Sequence, residues 1–118
     1  MKYMLMLYAS EQGGAELAPE MMAQAMAQMA AYQEALEKAG AFVGTAALMP
    51  TSQARTITKY DGELKVEDGP YAESREQFGG YFIIEARDMD HAIELAAQCP
   101  AATWGPIEVR QFHPGYGP

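Results

Sequence analysis

The chain has 118 residues, 49% of them hydrophobic, and a formal net charge of −8. That length predicts one domain over residues 1–118, and the apolar share suffices for a core without metals or disulfides. The acidic balance, with only eight scattered Lys and Arg, excludes nucleic acid as an expected partner; the apolar stretches are broken too early to cross a membrane, and a lone cysteine, Cys99, points to a reducing cytoplasm.

In chain order, Tyr3–Ala9 comes first. It sets Tyr3, Leu5 and Leu7 against Met4, Met6 and Tyr8, so both faces are apolar, the pattern of a strand covered on two sides. Lys2 ahead of that run imitates a secretory leader only faintly, since the apolar stretch is short and no cleavage site follows. Glu11–Gly14 reads as a loop. Pro19 and Glu20 suit the first turn of a helix that runs to Ala39 and is capped by Gly40. Met22, Ala25, Met26, Met29, Tyr32, Leu36 and Ala39 form its one apolar stripe, expected to be buried.

Ala41–Leu48 reads as a second strand, weakened at Gly44. Arg55–Tyr60 and Leu64–Glu67 flank Asp61-Gly62, a tight hairpin with one solvated face. Tyr81–Glu85 is the next strand. Asp88 caps a second helix whose Met89, Ala92, Ile93 and Ala96 turn inward, and which stops before Pro100. Ile107–Phe112 is the last strand, and residues 113–118 are expected to be a flexible tail. Strand, helix, strand, hairpin insert, strand, helix, strand is the split βαβ pattern of a ferredoxin-like α+β domain. Two helices cover only one face of such a sheet, so a second copy is expected on the other, giving a homodimer with its sheets face to face.

Most of the chemistry lies between the hairpin and the next strand, in Asp68-Gly69-Pro70-Tyr71-Ala72-Glu73-Ser74-Arg75-Glu76. Asp68 at a strand end reads as a candidate acid or base if its carboxyl is desolvated. The commoner reading is an acceptor of backbone N–H groups in a turn stiffened by Gly69 and Pro70. Glu73 and Glu76 are candidate assisting carboxylates, or solvated loop residues. Arg55, Arg75 and Arg110 can each hold a carboxylate bidentately, and Tyr71 is a contact residue or a packing aromatic. Cys99 reads as a small packed hydrophobe rather than a nucleophile, because no cation stands near it in sequence. Two histidines, His91 and His113, with one cysteine make no metal-ligand spacing. No nucleotide or nucleophile-elbow fingerprint occurs, so neither a metal nor a cofactor is expected.

The central stretch resembles the YCII-related family in its DGPF branch, where the motif reads Asp-Gly-Pro-Phe-Ala-Glu-x-Lys-Glu. Gly79-Gly80-Tyr81-Phe82-Ile83-Ile84, Ala92–Ala97 with Cys99-Pro100, Gly105-Pro106-Ile107-Glu108-Val109-Arg110, and upstream Ala39-Gly40 and Leu48-x-Pro50 fit the same pattern. The resemblance implies a ferredoxin-like fold whose dimer forms an α/β barrel. It also implies a His–Asp pair suggested for acid–base chemistry. Here the first helix holds no histidine, and Met29 stands where one is expected, which leaves Asp68 without that partner.

Three functions fit this pattern. One is a cofactorless isomerase- or lyase-like enzyme acting on a small organic acid through Asp68. Another is a small-molecule or partner-binding module without turnover, and the third is a structural dimer. Fold analogy supports all three equally.

Overall fold

The structure, a computed structural model, describes residues Met1–Pro118. Its elements are β1 (Lys2–Ala9), α1 (Glu11–Ala15), α2 (Pro19–Lys38), β2 (Phe42–Ala47), β3 (Arg55–Tyr60), β4 (Glu63–Asp68), β5 (Gln77–Glu85), α3 (Met89–Ala97) and β6 (Ile107–Gln111), with short 3-10 turns at Thr51–Gln53 and Pro100–Thr103. This is a mixed α+β architecture. The main sheet has four strands in the order β2-β5-β1-β6, and β3-β4 is a separate two-stranded hairpin. All the pairings are antiparallel. The single chain closes no barrel, because β2 and β6 are both sheet edges.

Local chemistry accounts for these elements. Pro19 starts α2, where a missing N–H costs nothing. Asp61 and Gly62 both take positive φ, 53° and 80°, the primed turn that joins two strands through a two-residue loop. At the start of α3, Asp88 Oδ1 accepts the His91 N–H at 2.8 Å, and His91 Nδ1 accepts the Arg87 N–H at 3.1 Å. His91 therefore caps the helix start through both its main chain and its ring.

One face of the sheet carries the core. Tyr3 and Leu5 of β1 and Phe82 and Ile84 of β5 are buried with Tyr32 and Leu36 of α2 and Ala92, Leu95 and Ala96 of α3. Tyr32 meets Phe82 edge-on at 5.2 Å between ring centroids, the favoured aromatic geometry. Period-two alternation turns Met4 and Met6 of β1 and Tyr81 and Ile83 of β5 to the opposite face. There Met4 lies beside Ile83 and Met6 beside Tyr81, with Arg110 and Glu108 of β6 on the other flank. These apolar residues are only half-buried. The molecule is a slab of 48 × 43 × 18 Å with a radius of gyration of 16.2 Å, against about 13.5 Å for a rounded domain of this length.

The structure departs from the sequence reading in several places. Glu11–Gly14 lies in a helix, not a loop, because Ser10 Oγ accepts the Gly13 N–H at 3.0 Å and caps it. The methionine stripe of α2 is not buried along its length: Tyr32 and Leu36 are inside, whereas Met22 and Met26 are 40% and 67% exposed. A 20-residue helix is about 30 Å long, and its N-terminal half runs past the core. β5 begins at Gln77 rather than Tyr81, across a shift in register that leaves Gly79 unpaired beside Leu7 and Tyr8. Apart from these differences, His113–Tyr116 form a turn closed by the Tyr116 N–H on the His113 carbonyl at 3.0 Å.

Candidate functional site

The first part of the Asp68–Glu76 motif forms the base of the hairpin. Asp68 ends β4 directly across from Arg55, and Arg55 Nε lies 3.0 Å from Asp68 Oδ1. The Asp68 side chain is 89% exposed. Gly69 then takes φ +98°, a left-handed conformation that only glycine adopts freely. Its N–H donates to the Ala54 carbonyl at 2.9 Å, and its own carbonyl accepts Thr56 Oγ1–H at 2.8 Å. The Asp68 carboxylate therefore stands in water against a guanidinium, while the backbone after it seals the hairpin.

The second part of the motif reaches the main sheet. Gln77, the residue after it, accepts the Glu11 N–H on Oε1 at 2.9 Å and donates from Nε2 to the Ser74 carbonyl at 2.6 Å. The Glu11 carboxylate in turn accepts the Thr51 N–H at 3.1 and 3.2 Å. Ser74 Oγ donates to the Glu76 carbonyl. The Gln77 amide thus ties the start of α1 to the motif loop, and the Glu11 carboxylate extends the tie to the turn at Thr51.

Two cavities flank this junction. A cleft of about 540 Å³ lies between α2 and the sheet, with Met26 and Met29 on the helix side, Leu7 and Phe82 on the sheet side and Trp104 at the rim. Its polar lining comprises Glu11, Ser10, Gln33, Thr45 and Gln77, and Glu11 is the one charged residue among them. A volume in this range, mostly apolar with a few polar groups, is the ordinary form of a small-molecule site. The second cavity, a hollow of about 570 Å³, lies under the motif loop, with Arg75, Glu76, Tyr8 and Phe78 among its walls. Tyr8 and Gln77 line both cavities.

Tyr8 stacks at a tilt on Phe78, 5.6 Å between centroids, and its hydroxyl lies 3.4 Å from Glu108 Oε1. Burial pushes its phenol above the ordinary value of 10.0, the charge and hydrogen bond of Glu108 add to that, and Arg110 opposes it.

The structure brings together only part of the set singled out in the sequence. Arg75 and Glu76 share the hollow, and Arg55 pairs with Asp68 at the hairpin base. Asp68, Arg55 and Arg110 line neither cavity. Tyr71 is 85% exposed, and Glu73 is exposed in the loop. Met29 does line the cleft. Glu11, Tyr8 and Gln77 are the residues that sequence reasoning passed over. The signal for Gln77 was a polar residue opening an otherwise apolar run, directly after the motif. Cys99 is buried, and that burial raises its thiol above the ordinary value of 9.0 against a backbone hydrogen bond from Ala101. No three His, Cys, Asp or Glu side chains gather to hold a metal ion, and no helix is long and apolar enough to cross a membrane.

Comparison with known proteins adds two findings. A family profile described as YCII-related domain matches residues 1–114. An uncharacterized protein of Rhizobium meliloti (strain 1021) is 32% identical over 112 residues, which cover 93% of this chain and 90% of that protein.

Proposed function

The chain belongs to the YCII-related family, and from that premise we propose that it is a homodimeric small-molecule-binding module whose ligand enters the cleft between α2 and the sheet. The cleft itself carries the reading: about 540 Å³ walled by Met26, Met29, Phe82 and Trp104, with a few polar groups in its lining. Methionine side chains adapt to irregular apolar shapes. Glu11 is the single charge in the lining, so the ligand is a small, mainly apolar molecule with a neutral or cationic hydrogen-bond donor.

The same proposal takes the fold as ferredoxin-like and the dimer as an α/β barrel. The strand order β2-β5-β1-β6 supports the first. The half-buried apolar face of Met4, Met6, Tyr81 and Ile83, on a slab only 18 Å thick, supports the second. A free, buried Cys99 fits a reducing cytoplasm.

Trp104 is the only tryptophan, so its fluorescence reports on the cleft alone. A thermal-shift screen of small amines, alcohols and acids is expected to return amines or alcohols that also change Trp104 emission, with both effects lost in Met26→Glu. No such compound, or hits indifferent to Met26→Glu, would sink the cleft reading. Light scattering on the eluting protein is expected to give twice the 12.9 kDa chain mass, and a monomer would remove the dimer.

A second reading is acid–base turnover of a small organic acid, with Asp68 as acid or base, Glu73 and Glu76 assisting, and Arg55, Tyr71, Arg75 and Arg110 as contacts. The 3.0 Å Arg55–Asp68 pair favours it by holding the carboxylate in one orientation. Because Asp68 lines neither cavity within its own chain, this reading needs the second copy to close over it. A substrate screen in which wild type and Asp68→Asn are equally active would exclude it.

A further inference from the structure

We propose that the hollow under the motif loop is a second binding site, and that it takes a small zwitterion with an apolar side chain, in chemical class an α-amino acid. Arg75 and Glu76 both line this hollow of about 570 Å³. Neither takes part in an ion pair within the chain. Two neighbouring side chains of opposite charge, left unpaired at one cavity, match a ligand carrying a carboxylate and an ammonium a few ångströms apart. Guanidinium receives the carboxylate through two parallel N–H donors, and the Glu76 carboxylate receives the ammonium.

The remaining walls define the rest of the ligand. Leu48, Met49 and the tilted Tyr8–Phe78 pair make an apolar surface beside the two charges. An aromatic or large aliphatic side chain fits it, and a bare glycine leaves it wet. The segment that carries the charges is held in place before any ligand arrives. Gln77 Nε2 holds the Ser74 carbonyl at 2.6 Å, and Ser74 Oγ bonds the Glu76 carbonyl, so both sides of Arg75 are tied. Preorganisation of this kind lowers the ordering cost of binding. The inference concerns a different cavity from the cleft and does not depend on it.

The test uses amide NMR on the intact protein with three probes of one shape: L-phenylalanine, phenylacetate with only the carboxylate, and phenethylamine with only the ammonium. Phenylalanine is expected to give saturable shifts at Tyr8 and across Ser74–Phe78, with affinity about tenfold above either single-charge probe, one charge-assisted contact being worth that factor. Arg75→Gln should weaken phenylalanine and phenylacetate and spare phenethylamine, and Glu76→Gln should do the converse. The spectrum of each variant shows at once that it is folded. Met26→Glu, in the cleft, should leave the phenylalanine and phenylacetate affinities unchanged. Absence of saturable shifts at these positions, equal affinity for the three probes, or indifference to both charge variants would each overturn the proposal.

Discussion

The Tyr32 hydroxyl donates to the Leu95 carbonyl across 2.7 Å, a buried bond that pins α2 to α3. Leu95 O also accepts the Gln98 N–H at 3.2 Å, so it keeps a partner when the phenol is removed. Tyr32→Phe is therefore expected to lower stability by about 1 kcal/mol, read as a lower urea midpoint at unchanged slope. A loss several times larger would mean that the phenol does more than bridge the helices.

Tyr32 and the neighbouring Cys99 set an alkaline limit. Burial raises the Tyr32 phenol far above its ordinary 10.0, with the neighbouring Cys99 adding to it, and burial raises Cys99 above 9.0. Both groups release their proton more readily in the unfolded chain than in the folded one. Their stabilising contribution is complete below the unfolded values and declines as the pH climbs past them. Denaturation midpoints should fall from about pH 9 through Cys99 and more steeply from about pH 10 through Tyr32. Cys99→Ala is expected to flatten the first decline and Tyr32→Phe the second.

Gly105 sits where no side chain fits. A Cβ built there falls 1.8 Å from the Tyr8 carbonyl oxygen and 2.9 Å from its carbon. Both obstacles are backbone, so neither can turn aside. Gly105→Ala should cost about 3 kcal/mol or more, and because the contact is with the Tyr8 main chain, the Tyr8 amide should lose exchange protection first. Wild-type stability in that variant would contradict the close approach.

Within the Asp68–Glu76 motif, backbone geometry is expected to outweigh charge. Asp68→Asn and Arg55→Gln break a pair whose members are 89% and 53% exposed, and each should change stability by no more than about 1 kcal/mol. Gly69→Ala forces a Cβ into φ +98° and should cost about 1–2 kcal/mol. Thermal melts of the three variants rank them directly. If Asp68→Asn proves the most damaging, the carboxylate has a structural task that its exposed position does not reveal.

Gln77→Ala removes two hydrogen bonds, those to the Glu11 N–H and the Ser74 carbonyl. A loss of about 1–3 kcal/mol is expected, with faster amide exchange confined to the motif loop and the start of α1. Uniform acceleration across the sheet would show instead that the side chain supports the whole fold.

The order of strands and helices was legible because each rests on a local pattern: alternation in Tyr3–Tyr8, Pro19 at a helix start, Asp61-Gly62 at a turn, Asp88 as a cap. The family was legible from the motif and its flanking pairs. Local pattern does not carry the reach of one element past another. Met22 and Met26 share a helical face with Leu36, yet only Leu36 is packed into the core, while Met26 stands over the open cleft. α1 was hidden because Gly13 and Gly14 favour a loop, and the Ser10 cap outweighs them. The site was partly hidden for a related reason. Asp68 and Arg75 are seven residues apart in one motif, but the hairpin base holds the first and the sheet end the second. Gln77, which joins the two cavities, carries no charge and fits no motif.

Tyr8 and Gln77 each present one side to the cleft and the other to the hollow. The two compartments are adjoining rooms with a common wall. A change at either residue alters both volumes together, so neither preference can be retuned there without disturbing the other. Selective redesign has to come from the outer walls, Met26 and Trp104 for one cavity, Leu48 and Met49 for its neighbour. A bulkier group at position 8 would be read out twice, once in each compartment.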